Sequence, residues 1–298
     1  METLSTLLQQ ARSQGIVFID PRIDYAFKLI FGTPGNEDLL LRLVQAVIPE
    51  KDIVTVSLEP QEQVGSRPDA RRSVVDVRCG TDSGDELIIE MQVKSQSDFT
   101  DRMVFYSSFP IINRLQRGDN SSYKLTPLYM VGITDFIVPG VIANNDIVNH
   151  YTIRNVKDNG IEFTDSVHYI TVELPKLTAT LPEVKDTPEW ILYTIKNMWS
   201  MKEMPPEYRG SYLEKMFDLS NFASMDEKSQ REYLTRFMWE VDQRSQLRTA
   251  KEEGIAEGHA EGHAEGLREA ARRMLADGVD SVLVQKYTGL SSDDIHSL

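Results

Sequence analysis

Two apolar runs, each interrupted by a carboxylate and joined by a short polar turn, constrain this chain more than any other feature. In SVVDVRC, Asp76 lies between Val75 and Val77, and in LIIEMQVK, Glu90 lies between Ile89 and Met91. Period-two alternation puts Ile89, Met91 and Val93 on one face of the second strand and Ile88, Glu90, Gln92 and Lys94 on the other. The linking Thr81-Asp82-Ser83-Gly84-Asp85 has turn composition. A hairpin centred on Ser83 sets Asp76 directly opposite Glu90, with Cβ atoms roughly 4.5–5.5 Å apart. Two carboxylates at that separation repel unless a cation lies between them. A hard divalent ion such as Mg²⁺ or Mn²⁺ suits the position, because one or two carboxylates hold it while it keeps exchangeable waters. Alternation alone leaves another reading open, in which both carboxylates are solvated on the outer face of an antiparallel sheet.

The flanking segments predict a mixed α/β core. DPRIDYAFKLIFG reads as a helix with Asp20 as N-cap, Pro21 at the first helical position and Gly32 just past the end. Its Ile23, Phe27 and Ile30 or Phe31 share a core-facing stripe. A second helix is expected over Glu37–Val47, ending before Pro49. Strand patterns cover Ile53–Leu58, Ser73–Cys79 and Leu87–Lys94, with a charged loop at 66–72. Thr100–Gln116 reads as a helix ending at Gly118, Leu128–Ile133 as a buried strand, Tyr151–Asn155 and Val167–Leu174 as further strands, and Pro188–Trp199 as a helix.

From Asp226 the chain reads as a long helical arm. Glu-Gly pairs recur every four residues at 253, 257, 261 and 265, each about 40° further round a 3.6-residue helix. Glycine costs roughly 1 kcal/mol relative to alanine in a helix, so this stretch calls for a partner surface, and the small-residue spacing favours a homodimer through the arm. His259 and His263 stand one turn apart, but with no third ligand in view they read as a helix face. Asp280–Leu298 reads as two short helices around Thr288-Gly289-Leu290-Ser291, with Ser291 as N-cap. This looks like half of a helix-turn-helix. With Lys286 its one firm cation, the segment is expected to be a helical cap rather than a DNA contact. The expected divisions are a core over 1–180, a helical region over 181–245, and the arm and cap over 246–298.

Composition narrows the classes. Asp and Glu outnumber Lys and Arg by 46 to 32, a net charge of −14, which argues against broad attraction to nucleic acid. A local basic surface and cation neutralisation of an acidic site leave that partner open. The single Cys79 cannot form an internal disulfide, which suits a reducing compartment, and the cytoplasm is the expected location. No run of about 18 apolar residues is present, so no membrane span is expected.

In order and spacing, FIDPRIDYAFKLIFG, VVDVR, IIEMQ, DRMVFYSS, the Glu-Gly ladder and KYTGLSSDDI resemble the Rpn family of recombination-promoting nucleases and transposases, within the PD-(D/E)xK superfamily. The resemblance implies an α/β fold: a restriction-endonuclease-like mixed sheet core flanked by helices, with a C-terminal helical arm. It also implies a Mg²⁺-dependent DNA endonuclease linked to recombination or mobile elements. On the family pattern Asp76 and Glu90 are the catalytic and metal-holding carboxylates, Asp24 is the acidic residue of the first helix, and Gln92 stands where the wider superfamily has lysine. Glutamine can orient a water by hydrogen bonds but neutralises nothing, and Lys94, on the same expected strand face, is the candidate for the missing charge. Asp24 can equally pair with Lys28 one turn on. The literal Pro68-Asp69 lies in the charged loop and reads as a decoy. Arg102 and Tyr106 share a helical face and reach either DNA phosphate or the core. The competing reading is a catalytically weak DNA-binding and oligomerisation module, favoured by Gln92 and the acidic composition.

Overall fold

The computed structural model describes residues 15–60, 75–117, 124–140 and 144–298. The charged loop at 66–72, the Pro68-Asp69 pair and Gly118 lie outside them. The described residues divide into two compact units, one up to Phe237 and one from Met238 onward.

The first unit is built on a six-stranded mixed sheet in the order β1-β2-β3-β4-β6-β5. Its strands are β1 (Val56–Leu58), β2 (Val77–Thr81), β3 (Glu86–Gln92), β4 (Leu128–Thr134), β5 (Val148–Arg154) and β6 (Glu162–Glu173). β1, β2 and β3 pair antiparallel, β3, β4 and β6 run parallel, and β5 closes the edge antiparallel to β6. Helix α3 (Phe99–Arg117) links β3 to β4, the crossover that a parallel pair needs.

Strand parity decides which residues meet which layer. Val77, Cys79, Ile89, Met91, Val131, Ile133, Ile170 and Val172 face one core, shared with α1 (Asp24–Phe31), α2 (Glu37–Val47), α5 (Trp190–Asn197) and α6 (Glu214–Ser220). A four-residue helix, α4 (Leu181–Val184), adds Val184. On the other face Ile88, Leu128 and Met130 pack with Phe99 and Met103 of α3. β3 is therefore covered on both sides, and its side facing α3 is apolar at Ile88 before it becomes polar at Glu90.

Among the boundaries that differ from the sequence reading, three have visible reasons. α1 starts at Asp24, with Ile23 at its N-cap and no side-chain cap. Asp20 is engaged elsewhere: its carboxylate takes the backbone N–H and the guanidinium of Arg22, which also grips Asp135 with two bonds of 2.9 Å. This buried charge group, not a cap, fixes the turn before the helix. β1 is shorter than expected because Asp82 in the hairpin turn accepts the N–H groups of Val54 and Thr55. β3 stops at Gln92, whose carbonyl accepts from Asp135 N as the chain turns away, so the alternation that put Lys94 on the face of Glu90 does not reach it.

The second unit contains most of α7 (Glu227–Ala276), then α8 (Ser281–Thr288) and α9 (Ser292–His296). α7 is continuous through all four ladder glycines. α8 is capped by Asp280 and ends at Gly289 with φ of 71°, a left-handed turn that glycine enters without strain. Ser291 caps α9 as expected, in a reciprocal arrangement with Asp294. Ala271, Val284 and Ile295, one from each helix, form a small core. No helix among the described residues is long and apolar enough to cross a membrane.

Gly132 is the glycine with the clearest packing reason. It pairs with Glu90 in the ladder, and a Cβ there would lie 2.6 Å from Phe99 Cζ. The missing side chain lets Phe99 seat the start of α3 against the sheet. Gly132→Ala is expected to destabilise the protein by about 1–3 kcal/mol through overpacking, measured by thermal or urea denaturation.

Candidate active site

The hairpin has the register that places the two carboxylates together. Val77 pairs with Ile89, Arg78 with Ile88, Cys79 with Leu87 and Gly80 with Glu86. Asp76 sits one residue before β2, and its Oδ2 accepts the N–H of Met91 at 2.8 Å, so a side chain closes the ladder where the strand ends. Asp76 is only 6% exposed. Its Oδ1 lies 3.1 Å from Lys28 Nζ, which also contacts Asp24 Oδ1 at 2.5 Å. α1 thus delivers Asp24 and Lys28, one turn apart, onto the end of the hairpin. The two sequence readings of Asp24 converge: it pairs with Lys28, and through Lys28 and a carboxyl–carboxyl hydrogen bond it belongs to the site of Asp76.

Glu90 is half-buried, and its Oε1 is buried and accepts no hydrogen bond. A carboxylate oxygen in that condition carries an uncompensated desolvation cost. Burial pushes the Glu90 carboxyl up to about 7, against the pull of the Arg102 and Lys28 charges. Burial, reinforced by the negative charge of Glu90, also holds Asp76 well above the usual carboxylate range. Asp24 goes the other way: burial raises it, but hydrogen bonds to Asp76 and Lys28 outweigh that and lower it. Lys28 is raised, because the negative charges of Asp76 and Asp24 overcome its partial burial. Together the groups form an acidic pocket with one lysine already in it.

Gln92 is held on both sides. Its Nε2 donates to the Lys94 carbonyl at 3.2 Å, and its Oε1 accepts weakly from Arg102 Nη1 at 3.4 Å. Arg102 also bonds Gln96 and donates to Tyr106 at 3.2 Å, stacking its guanidinium over that ring. This α3 network brings a fixed guanidinium within electrostatic range of Glu90. The structure therefore brings together Asp24, Asp76, Glu90, Gln92 and Arg102. Lys94 is half-buried beyond the end of β3, and its backbone carbonyl accepts from Gln92 Nε2. Lys28 was missed as a site residue, although its signal was present: a lysine four residues after a candidate acid is a neighbour of whatever that acid touches.

A mixed sheet with a largely withdrawn carboxylate pair at the end of a hairpin, flanked by helices on both faces, is the architecture of the PD-(D/E)XK nucleases. The chain belongs to the PD-(D/E)XK nuclease family transposases, whose pattern matches residues 21–250. Residues 264–298 match the C-terminal helix-turn-helix domain of the Rpn/YhgA-like nuclease family, which corrects the expectation of a mere helical cap. The end of α7, α8 and α9 with their shared core are that domain. Its cationic content misled the sequence reading, because a helix-turn-helix is defined by helix packing and not by charge. No curated protein and no solved structure matches the chain.

The raised Glu90 carboxyl gives a signed expectation. Between its ordinary value near 4.5 and about 7 the folded chain holds more protons than the unfolded one, so this group makes stability fall as pH rises through that window. Asp76 acts in the same direction. Glu90→Gln should flatten the decline and raise the Tm of metal-free protein at pH 8, by roughly 2–4 °C for each kcal/mol recovered. Differential scanning calorimetry from pH 4.5 to 8 in EDTA checks it; a wild-type Tm that rises with pH relative to Glu90→Gln would contradict it.

Proposed function

We propose that the chain hydrolyses phosphodiester bonds in DNA as a Mg²⁺- or Mn²⁺-dependent endonuclease serving recombination or mobile elements. The observation that carries this reading is the pair formed by buried Asp76 and half-buried Glu90 at the end of the hairpin, with Glu90 Oε1 buried and lacking a hydrogen-bond donor. Among the described residues no three metal-binding side chains already converge. The donor set nonetheless fits a hard divalent ion: two oxygen ligands, mutually repelling, one with an unsatisfied buried atom. Asp76 and Glu90 would hold such an ion, which supplies an activated water and charge stabilisation at phosphate.

The chain's own residues define the rest of the mechanism. Met91 N–H and Lys28 hold the Asp76 carboxylate in one orientation, and the Asp76 backbone N–H donates to the Glu90 carboxylate, leaving Glu90 Oε1 as the oxygen open to a ligand. Gln92, anchored through Lys94 O and Arg102, presents an amide that orients a water but carries no charge. Arg102 and Tyr106 offer donors from α3 beside the pocket to a phosphate backbone.

The helix-turn-helix domain supplies DNA positioning in this scheme. The ladder glycines Gly254, Gly258, Gly262 and Gly266 have nothing within 4 Å of a built Cβ, and we assign that open stretch to a homodimer contact. Sedimentation of the full chain should give a dimer, and leucine in place of Gly258 and Gly262 should weaken it. The cytoplasm is the proposed location, consistent with a single buried free thiol at Cys79.

The engagement of Gln92 with Arg102 favours one competing reading, a DNA-binding and oligomerisation module with little or no turnover. Relaxation of supercoiled plasmid separates the two. Cleavage that requires Mg²⁺ or Mn²⁺, stops in EDTA, and falls by about 100-fold or more in both Asp76→Ala and Glu90→Ala is expected. DNA binding without cleavage by any form would establish the module instead.

A further inference from the structure

Lys28 has a place that the sequence pattern does not assign. It stands on α1, yet its ammonium lies 3.1 Å from Asp76 Oδ1 and 2.5 Å from Asp24 Oδ1, at the end of β2. Its side chain is 28% exposed, so the charge is partly withdrawn from water, where it acts over distance more strongly than a surface lysine. Gln92, by contrast, brings no charge.

We propose that Lys28 is the fixed cation of this site: a positioning residue that orients Asp76 and supplies at the Asp76–Glu90 pocket the positive charge missing from Gln92. The proposal rests on the nuclease reading above and deepens it. Charge balance supports it. When ionised, Asp24, Asp76 and Glu90 set three negative charges in one place; Lys28 is in direct contact with two of them, whereas Arg102 and Arg236 act through their charges on Glu90 and Asp24 respectively. Losing Lys28 takes one positive charge out of the metal-loaded site, and with it part of the attraction for a phosphodiester and for the charge that develops on it. Geometry supports it as well. Lys28 reaches Asp76 on the oxygen opposite the one bound by Met91 N–H, so the two contacts together fix the carboxylate plane. Lysine's compact ammonium suits a position between two carboxylates, whereas the planar fork of arginine is larger and directional.

The test compares wild type, Lys28→Met and Lys28→Arg, using full-length protein with two readouts: plasmid cleavage kinetics in Mg²⁺ and calorimetric titration with Mn²⁺ alone. Methionine keeps most of the apolar stem and removes the charge. Lys28→Met should lose about 100-fold or more in kcat, on the scale of removing one electrostatic donor, while Mn²⁺ binds as tightly or more tightly, since a repelling charge is gone. Lys28→Arg should recover part of the rate. If Lys28 were only a strut between helix and hairpin, its loss would loosen Asp76 and weaken Mn²⁺ binding in step with turnover, and that result overturns the proposal. So does wild-type turnover in Lys28→Met, which would make Lys28 a mere occupant of the metal-free pocket. Should Lys28→Met fail to fold, the charge-retaining Lys28→Arg decides: wild-type-like Mn²⁺ affinity with measurable cleavage supports the proposal, and loss of both overturns it. A wild-type protein that binds Mn²⁺ but cleaves nothing sinks the nuclease reading separately. The Lys28 proposal is then judged on affinity alone, with tighter Mn²⁺ binding by Lys28→Met in its favour and unchanged or weaker binding against it.

Discussion

The bond from Met91 N–H to Asp76 Oδ2 is the contact on which the site depends. At that position a backbone carbonyl of β2 would ordinarily continue the ladder, but β2 does not begin until Val77. A side-chain carboxylate takes its place, so the acid is both the last link of the sheet and the first element of the site. Burying it there is tolerable because it has a strong donor on one oxygen and an ammonium on the other. Remove either and one oxygen of a nearly inaccessible carboxylate loses that donor, next to Glu90. The hairpin register, α1 and the chemistry are thereby coupled through one residue.

The same coupling explains the packing around Glu90. β3 lies between two apolar layers, and a carboxylate in the middle of such a strand would meet only side chains. Gly132, directly beside it on β4, carries none, and Phe99 fills that space with the start of α3. α3 is thus seated close enough for Arg102 to act on Glu90 and to bond Gln92. The sheet face changes from apolar to polar within a single strand because the small residue on the neighbouring strand admits an aromatic anchor just before the charged pocket begins.

Much of this was legible in the sequence, and the reasons for the rest are specific. The hairpin register followed from turn composition and strand period, both local properties, and α2 over Glu37–Val47 followed from helical period with a proline stop. The start of α1 was misread because Asp20 and Pro21 satisfy the local rules for a cap, while a partner more than a hundred residues away, Asp135, engages Arg22 and with it Asp20. No local pattern announces such a pairing. Lys94 was assigned to the face of Glu90 on a parity that ended two residues early, at a strand terminus fixed by the chain following β4. Lys28 went unassigned because helix and hairpin meet only in the fold. The missed contacts are the long-range ones, and they involve charged side chains whose partners periodicity does not specify.

The strong acidity of the chain also reads differently once its carboxylates are located. Many of them meet needs of the fold. Glu183, Asp226, Asp280 and Asp294 accept backbone N–H groups at helix starts, where the helix dipole favours an acid. Asp38, Asp85, Glu86 and Glu173 each meet a lysine or arginine inside the first unit, and Glu265 and Glu269 pair with arginines along α7. A carboxylate that is capped or paired contributes little field at a distance in physiological salt, where screening acts over about 8 Å. A net charge of −14 therefore overstates the repulsion that a DNA backbone would meet. Glu90 differs in kind from these residues: it retains a buried oxygen that no protein donor reaches, although capping, pairing and solvent exposure were all available to a glutamate. Set beside Asp76, that oxygen supports the cation-holding reading proposed for this pair more directly than the global charge argues against it.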